Sequence, residues 1–194
     1  DLLTKLEFFS IIRRVPDPAG VSTMPTQGDL LPAEKRLSTD YRIVDGEEEL
    51  ASMVDDLASS EVVAFDVLTS EGPMMAAELV GLSFAGDAGQ AWYVPLGHTQ
   101  GTQLSEDHAL DGLRSLIESE DIPKTAHNAN FGMTVLSCHG IEVGRLAFDS
   151  MLAAHLGGRK AIALEQLSLE CLHEELPPVT ELVGTGRKRI TMAE

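Results

Sequence analysis

One carboxylate, Asp66, lies near the end of the apolar run EVVAFDVLTS at positions 61–70. The apolar and β-branched residues of this run predict a buried strand that presents an acid at its carboxyl end, as metal-dependent hydrolases do. Such chemistry needs several oxygen ligands, because divalent cations are coordinated by more than one acid. The residue two positions on, which would share the face of Asp66, is Leu68. The run therefore predicts a working site with other ligands, a disabled site, or a strand with a structural acid.

Four other side chains could take part in chemistry, although each also has a structural interpretation. His127 could be a general base, and Asp149 could be a substitute metal ligand. Glu71 and Glu78 flank the first turn and could supply charge. We expect His127 to be satisfied by its neighbours at a strand end and Asp149 to be the N-cap of the apolar helix that follows it. The two glutamates are expected to be solvated surface.

Composition and charge limit the possible classes of protein. The chain has 194 residues, of which 43% are hydrophobic, and this is enough for one domain with a real core. The formal net charge of −17 argues against a broad surface that neutralises phosphates. The first residues, DLLTKLEFFSIIRRVP, lack the features of a signal peptide, so we expect a cytoplasmic location. Cys138 and Cys171 match no zinc spacing and are predicted to be buried free thiols, with His139 as a surface ring.

The chain divides into three predicted parts. Residues 1–15 carry leucine, isoleucine and phenylalanine at helical spacing and predict an amphipathic helix. Residues 16–39 are rich in Pro, Gly, Ser and Thr and predict a linker. Residues 40–194 predict the compact domain.

Strands and helices alternate within the predicted domain. A helix is expected over 46–60, and the turn sequences SEGP and GDAG favour antiparallel pairing of the next three strands. The predicted strands are 62–67, 78–85, 90–97, 124–128 and 145–150, and the later predicted helices are 105–119 with Ser105 as N-cap, 130–141 and 163–176. This order predicts an α/β fold with a mixed sheet flanked by helices.

Several segments resemble the 3′–5′ exonuclease (proofreading) domain of bacterial DNA polymerase I, a family A DNA polymerase. FDVLTSEGPMMAAELVGLSFA resembles its first motif, F-D-T-E-T followed by L-V-G-L-S-F-A, and KTAHNANFGMTVLSCHGI resembles its second, N-x-x-(F/Y)-D. LAFDSMLAAHL, LEQLSLECL and ELVGTGRKRIT resemble the following segments in order, so the match runs from about residue 43 to the end. The resemblance implies a ribonuclease H-like fold of the DnaQ-like or DEDD exonuclease type. LEFFSIIRRVP is similar to the end of the preceding 5′ nuclease domain.

In that family four acids bind two divalent metals, and the resemblance can be carried over residue by residue. Asp66 matches the first acid, whereas Leu68 and Gly132 stand at the positions of the second and third. Asn128 and Phe131, which precede the third position, match the motif and imply a weak role in nucleic-acid binding. Asp66 is thus a catalytic remnant and a weak metal ligand, expected to bind no metal. Leu68 and Gly132 are degenerate family positions.

Two further family positions bear on the same site. The last motif, Y-x-x-x-D, is expected 20 to 30 residues after GTGRKRIT, so the domain is predicted to be truncated before it. A leucine that wedges against the terminal bases in the family is replaced by Gly72.

The resemblance implies a catalytically inactive domain that acts as a structural spacer inside a DNA polymerase I, in DNA replication and repair. The implied partners are DNA, through the parent polymerase, and the adjacent polymerase and 5′ nuclease domains, with no membrane. No cofactor is expected, although Mg²⁺ or Mn²⁺ would be needed by any surviving exonuclease activity. Two alternatives stay open: an active 3′–5′ exonuclease with substitute metal ligands, and a non-catalytic module that binds protein or DNA.

Overall fold

A computed structural model describes residues 39–186 and 189–194, so the predicted helix over 1–15 and nearly all of the predicted linker lie outside the described residues. The strands are β1 (Asp40–Ile43), β2 (Val63–Thr69), β3 (Leu79–Ala85), β4 (Gln90–Pro95), β5 (Lys124–Ala126) and β6 (Leu146–Asp149). The helices are α1 (Glu47–Ala58), α2 (Glu106–Ile117), α3 (Ala129–Cys138), α4 (Ser150–Leu156), α5 (Leu164–Leu172) and α6 (Val179–Val183), with a 3₁₀ turn at Met74–Ala76. In the described part of the chain, no helix is both long and apolar enough to cross a membrane.

The six strands form one mixed sheet in the order β1-β4-β3-β2-β5-β6. β2, β3 and β4 pair in antiparallel fashion, as the turn sequences predicted. β5 and β6 join β2 in parallel, and helices connect these strands. The predicted mixed sheet flanked by helices is therefore confirmed.

The sequence prediction missed strand β1, which pairs in parallel with β4 at one edge of the sheet. All four of its residues are exposed. Since β1 has no buried face, it lacks the apolar alternation that marks a half-buried strand. Its sequence, DYRI, lies inside the predicted domain of residues 40–194 but was not predicted to be a strand.

One face of the sheet carries the core. Side chains alternate along β2, so Val63, Phe65 and Val67 point to one face while Ala64, Asp66 and Leu68 point to the other. The first face packs against apolar residues of α1, α2 and α3, including Leu50, Met53, Leu57, Leu110, Leu113, Val135 and Leu136. We call the first the core face and the second the cleft face.

The predictions for three surface residues need correction. Cys138 and Cys171 are free but exposed, so the prediction of buried thiols is wrong. Cys138 is the last residue of α3. His139, predicted to be a surface ring, is instead largely buried, and its Nδ1 lies 2.6 Å from Glu106 Oε1 while its Nε2 lies 3.2 Å from the carbonyl oxygen of Ala77.

Ser105 precedes α2 as predicted, but its side chain makes no capping hydrogen bond.

Candidate functional site

Asp66 faces a shallow cleft of about 390 Å³ on the cleft face of the sheet. The floor of the cleft consists of small side chains from the central strands. Its polar side chains are Asp66, Ser83, Thr125, His127 and Ser150. Ser83 is the direct neighbour of Asp66 across the β2–β3 pair, and strand alternation alone could have identified it.

The concave surroundings of Asp66 change its acidity. Although much of the side chain is exposed in area, burial of the carboxyl group raises its pKa above the usual 3.8. A hydrogen bond from the backbone of Val67 and the charge of His127 oppose this rise but do not offset it.

Leu68 lies on the same face as Asp66, one step closer to the carboxyl end of β2. Its neighbour on β3 is Gly81, and the ring of Tyr93 covers this glycine so closely that a Cβ would overlap the phenol. The Tyr93 hydroxyl lies 2.6 Å from His98 Nε2, and the backbone of His98 makes two hydrogen bonds with the Gln103 side chain. Leu68 itself is half-buried, beside the glycine that the Tyr93 ring covers.

Gly132 lies on the core face of the sheet, in the first turn of α3. A Cβ added there would lie 3.2 Å from both Phe65 Cε2 and Val67 Cγ2. Since these two side chains alternate with Asp66 and Leu68, the Cα–Cβ direction of residue 132 points into the apolar layer. An aspartate at this position would require Phe65 or Val67 to move.

His127 lies at the end of β5 and contacts the start of α4. Its Nδ1 is 2.9 Å from Ser150 Oγ, which in turn is 3.4 Å from the carbonyl oxygen of Ala126. The expectation that neighbours satisfy this histidine is confirmed. The sequence analysis missed Ser150, because nothing within the segment LAFDSML distinguishes it from an ordinary first helical residue.

Asp149 caps two helices at once. Its Oδ1 accepts hydrogen bonds from Met151 N at 2.8 Å and Leu152 N at 3.1 Å, so the predicted N-cap of α4 is confirmed. The same carboxylate accepts bonds from Asn128 N at 3.2 Å and Ala129 N at 2.8 Å, at the start of α3. Burial alone would raise the pKa of Asp149, but these four donors outweigh it and lower the pKa below 3.8.

The two residues matched to nucleic-acid binding also have structural contacts. Asn128 adopts the left-handed conformation, with φ 60°, at the N-cap position of α3, and its side chain makes no capping bond. Phe131 is partly buried and packs against the hydrophobic core. Their suggested role in nucleic-acid binding stays a prediction.

The residues of the first turn lie at the surface. Glu71 and Glu78 are exposed, as expected, and Glu71 forms an ion pair with Arg189. Gly72 has φ 150°, which side chains rarely adopt, and a Cβ there would meet nothing within 4 Å. A leucine at this position would have free space but a strained backbone.

The donor set of the cleft does not fit the two-metal centre that the family implies. Two divalent cations need several oxygen ligands, yet of the three family positions in this chain only Asp66 has a carboxylate. Among the residues that the structure describes, no group of three or more His, Cys, Asp or Glu side chains could bind a metal ion. No hydrolytic step through a metal can be built from these side chains.

Comparison with known proteins places the chain in a family. A family model described as 3′–5′ exonuclease matches residues 41–191. DNA polymerase I of Chloroflexus aurantiacus is 35% identical over 184 residues, which are 91% of this chain and 19% of that protein. DNA polymerase I of Pseudomonas aeruginosa is 29% identical over 159 residues, which are 78% of this chain and 17% of that protein. The chain thus spans about a fifth of the length of these relatives.

Solved structures share the fold at lower identity. The POL domain of Pol1 from M. smegmatis, in complex with DNA primer-template and dNTP, has a TM-score of 0.57 and 23% identity over 71% of this chain and 23% of its own. RNase D of Trypanosoma brucei has a TM-score of 0.60 and 16% identity over 73% of this chain and 50% of its own. RNase D of Escherichia coli has a TM-score of 0.56 and 15% identity over 72% of this chain and 35% of its own.

These likenesses confirm the ribonuclease H-like fold that the family resemblance implied. The family match covers most of the described domain, including β2 with Asp66 and the start of α3 with Gly132. The chain belongs to the 3′–5′ exonuclease domain family of DNA polymerase I.

Proposed function

We propose that this domain is a catalytically inactive exonuclease domain that serves as a structural spacer within a DNA polymerase I. One observation carries the proposal: Leu68 and Gly132 stand where the family has metal-binding acids, which leaves Asp66 as the single family acid in the cleft. One carboxylate supplies too few oxygen ligands to bind two divalent cations. The loss of bound metal would remove both the attacking hydroxide and the stabilisation of the leaving oxygen.

The surroundings of the two substituted positions support the same proposal. Leu68 lies beside the glycine that Tyr93 covers, and Gly132 packs against Phe65 and Val67. Gly132 therefore lies in a packed apolar layer, whereas Leu68 is half-buried. The proposed biological context is DNA replication and repair in the cytoplasm, with DNA contacted through the parent polymerase and with the 5′ nuclease and polymerase domains as neighbours. The predicted boundaries of 1–15, 16–39 and 40–194 are part of this proposal.

A 3′ degradation assay tests the proposal. The full-length protein encoded by the gene is incubated with a 5′-labelled single strand, first with Mg²⁺ and then with Mn²⁺. We expect no release of nucleotides from the parent protein. If the parent degrades the strand and Asp66→Ala abolishes this activity, other ligands bind the metals and the proposal is wrong.

Two restored variants show whether the scaffold can still support the chemistry. Leu68→Glu adds a carboxylate on the cleft face, and the double variant with Gly132→Asp adds the next family acid. We expect activity from the double variant only when the apolar layer at Phe65 and Val67 can adjust to the new side chain. Leu152→Glu is the matched control, because it adds the same charge to an exposed leucine of α4, outside the cleft.

A further inference from the structure

His139 connects three parts of the domain through its position and its two ring nitrogens. Nδ1 lies 2.6 Å from Glu106 Oε1, in the first turn of α2, and Nε2 lies 3.2 Å from the carbonyl oxygen of Ala77. Ala77 follows the 3₁₀ turn Met74–Ala76 in the connection between β2 and β3. His139 itself is the C-cap of α3, and 19% of its side chain is exposed. We call His139, Glu106 and Ala77 the histidine latch.

Both partners of the ring are hydrogen-bond acceptors. A carbonyl oxygen can only accept, so Nε2 must carry a proton to bond with Ala77. An ionised carboxylate is also an acceptor only, so Nδ1 needs a second proton to bond with Glu106. A neutral imidazole has one N–H, which leaves one of the two contacts without a donor. With an ionised Glu106, both hydrogen bonds therefore form together only when His139 is protonated.

The ends of two helices favour the charged forms of both side chains. Glu106 is the first residue of α2, where the helix dipole stabilises a negative charge, and 39% of its side chain is exposed to water. His139 follows the last residue of α3, where the dipole stabilises a positive charge. An imidazolium and a carboxylate are therefore the forms that fit the latch, and a charge-assisted hydrogen bond is stronger than a neutral one.

Other charged groups surround the latch on each neighbouring segment. They are Asp107, His108, Asp111, Arg114 and Glu118 on or next to α2, Cys138 and Glu142 at and after the end of α3, and Glu71 and Glu78 in the β2–β3 connection. Arg114 donates to the carbonyl oxygen of Gly140, next to His139, at 2.9 Å, and its charge opposes a positive ring. Arg114 also forms ion pairs with the carboxylates three residues before and four residues after it, which offset this charge. His108 lies 3.3 Å from Glu47 of α1, so its titration is a separate event.

The latch fixes one side of the β2–β3 connection. The two ends of this connection bond to each other, because Ser70 N donates to Glu78 O at 2.9 Å and Glu78 N donates to Ser70 Oγ at 3.0 Å. The contact from His139 to Ala77 attaches the connection to α3, and Glu106 extends the attachment to α2. The connection directly follows β2, the strand that carries Asp66.

We propose that the histidine latch is a pH-sensitive device that fastens the β2–β3 connection to α2 and α3 when His139 is protonated. An unconstrained histidine loses its proton as the pH rises through about 6.5. The neutral ring retains one N–H, so one contact is lost and the connection opens more often. The inference does not depend on the proposed function, because it concerns the order of the connection and needs no bound metal or DNA.

Hydrogen exchange at the Ala76 amide, followed by NMR, tests the latch in the 194-residue chain. This amide donates to the carbonyl oxygen of Pro73 at 2.8 Å, inside the 3₁₀ turn. Protection factors, which correct for the intrinsic effect of pH on exchange, are compared at pH 6 and pH 8. We expect protection to be at least roughly threefold higher at pH 6. Equal protection at the two pH values would overturn the inference.

Glu106→Gln removes the need for the second proton but retains the hydrogen-bonding groups. The glutamine amide can donate to Nδ1 while Nε2–H of the neutral ring donates to Ala77, so protection should be equal at pH 6 and pH 8. His139→Gln is a second variant, should Glu106→Gln fail to fold, and it should also abolish the pH dependence because it removes the titrating ring. A pH dependence that persists in either variant would assign it to another group and overturn the inference.

Asp107→Asn is the matched control for the loss of charge. It removes one negative charge from an exposed residue in the same first turn of α2. Because Asp107 is not part of the latch, this variant should retain the pH dependence of the wild type. Loss of the pH dependence in Asp107→Asn would show that the charge of the turn is the cause, and would also overturn the inference.

Discussion

The replacement of Asp149 by alanine should destabilise the domain more than the loss of an ordinary helix cap. Its carboxylate accepts hydrogen bonds from the first turns of α3 and α4, with N–O distances from 2.8 to 3.2 Å. Loss of one N-cap acceptor costs about 1 kcal/mol. Because Asp149→Ala removes the acceptor from two helix ends, we expect the free energy of unfolding to fall by about 2 kcal/mol.

Asp149→Asn should have an intermediate effect. An amide oxygen in the place of Oδ1 keeps three of the four hydrogen bonds and loses the one from Ala129 N, so we expect a loss of about 1 kcal/mol. Urea denaturation at neutral pH, followed by circular dichroism, measures all three proteins. Ser105→Ala is the matched control, because Ser105 precedes α2 without a side-chain capping bond and its replacement should change stability little.

The contribution of Asp149 should also depend on pH. Its pKa is lower in the folded protein than the ordinary value of 3.8. The folded state therefore favours the ionised form, so the stabilisation is complete above the ordinary value and is lost as the pH falls through the folded pKa. The difference between wild type and Asp149→Ala should shrink in that acidic range. A loss no larger than that of Ser105→Ala, or a difference independent of pH, would refute the double cap.

Two further predictions concern the cleft face. Gly81→Ala should lower the free energy of unfolding by about 1–3 kcal/mol, because its Cβ would overlap the Tyr93 phenol. Adding Tyr93→Leu to the same chain should recover part of this loss in urea unfolding. Purely additive effects of the two substitutions would contradict the overlap. Asp66→Asn should raise the urea midpoint at pH 7, because a raised folded pKa makes the ionised carboxylate destabilising once the pH exceeds it. Below the ordinary value of 3.8, Asp66 is protonated in both states and the gain should vanish; a gain that persists there would show that charge is not its cause.

The segments with strong apolar patterns were predictable from the sequence. β2, β3 and β4 carry a buried face bounded by turn residues, and these two local signals sufficed to predict antiparallel pairing. β1 was missed because an exposed edge strand of four residues has no buried face to show. Its position is determined by pairing with β4, a contact between residues about fifty positions apart.

The cleft was only partly predictable. Asp66 and its neighbour Leu68 follow from the pattern of a single strand, and Asp149 was recognisable as an N-cap from the helix that follows it. Its second role, at α3, depends on β5 and β6 being adjacent and parallel. The contact between His127 and Ser150 also joins segments 23 positions apart, so no local spacing could indicate it.

Leu68 and Gly132 differ in how easily the fold could accommodate an acidic side chain in their place. Leu68 lies on the cleft face, so a longer polar side chain there can extend toward solvent at the end of β2. Gly132 packs on the core face, where an added Cβ already approaches Phe65 and Val67 to 3.2 Å. A carboxylate at 132 would have to displace apolar neighbours or remain partly buried, and burial of an unpaired charge is unfavourable. The third acid position should therefore be harder to restore than the second, because the packing of α3 on β2 favours glycine at position 132.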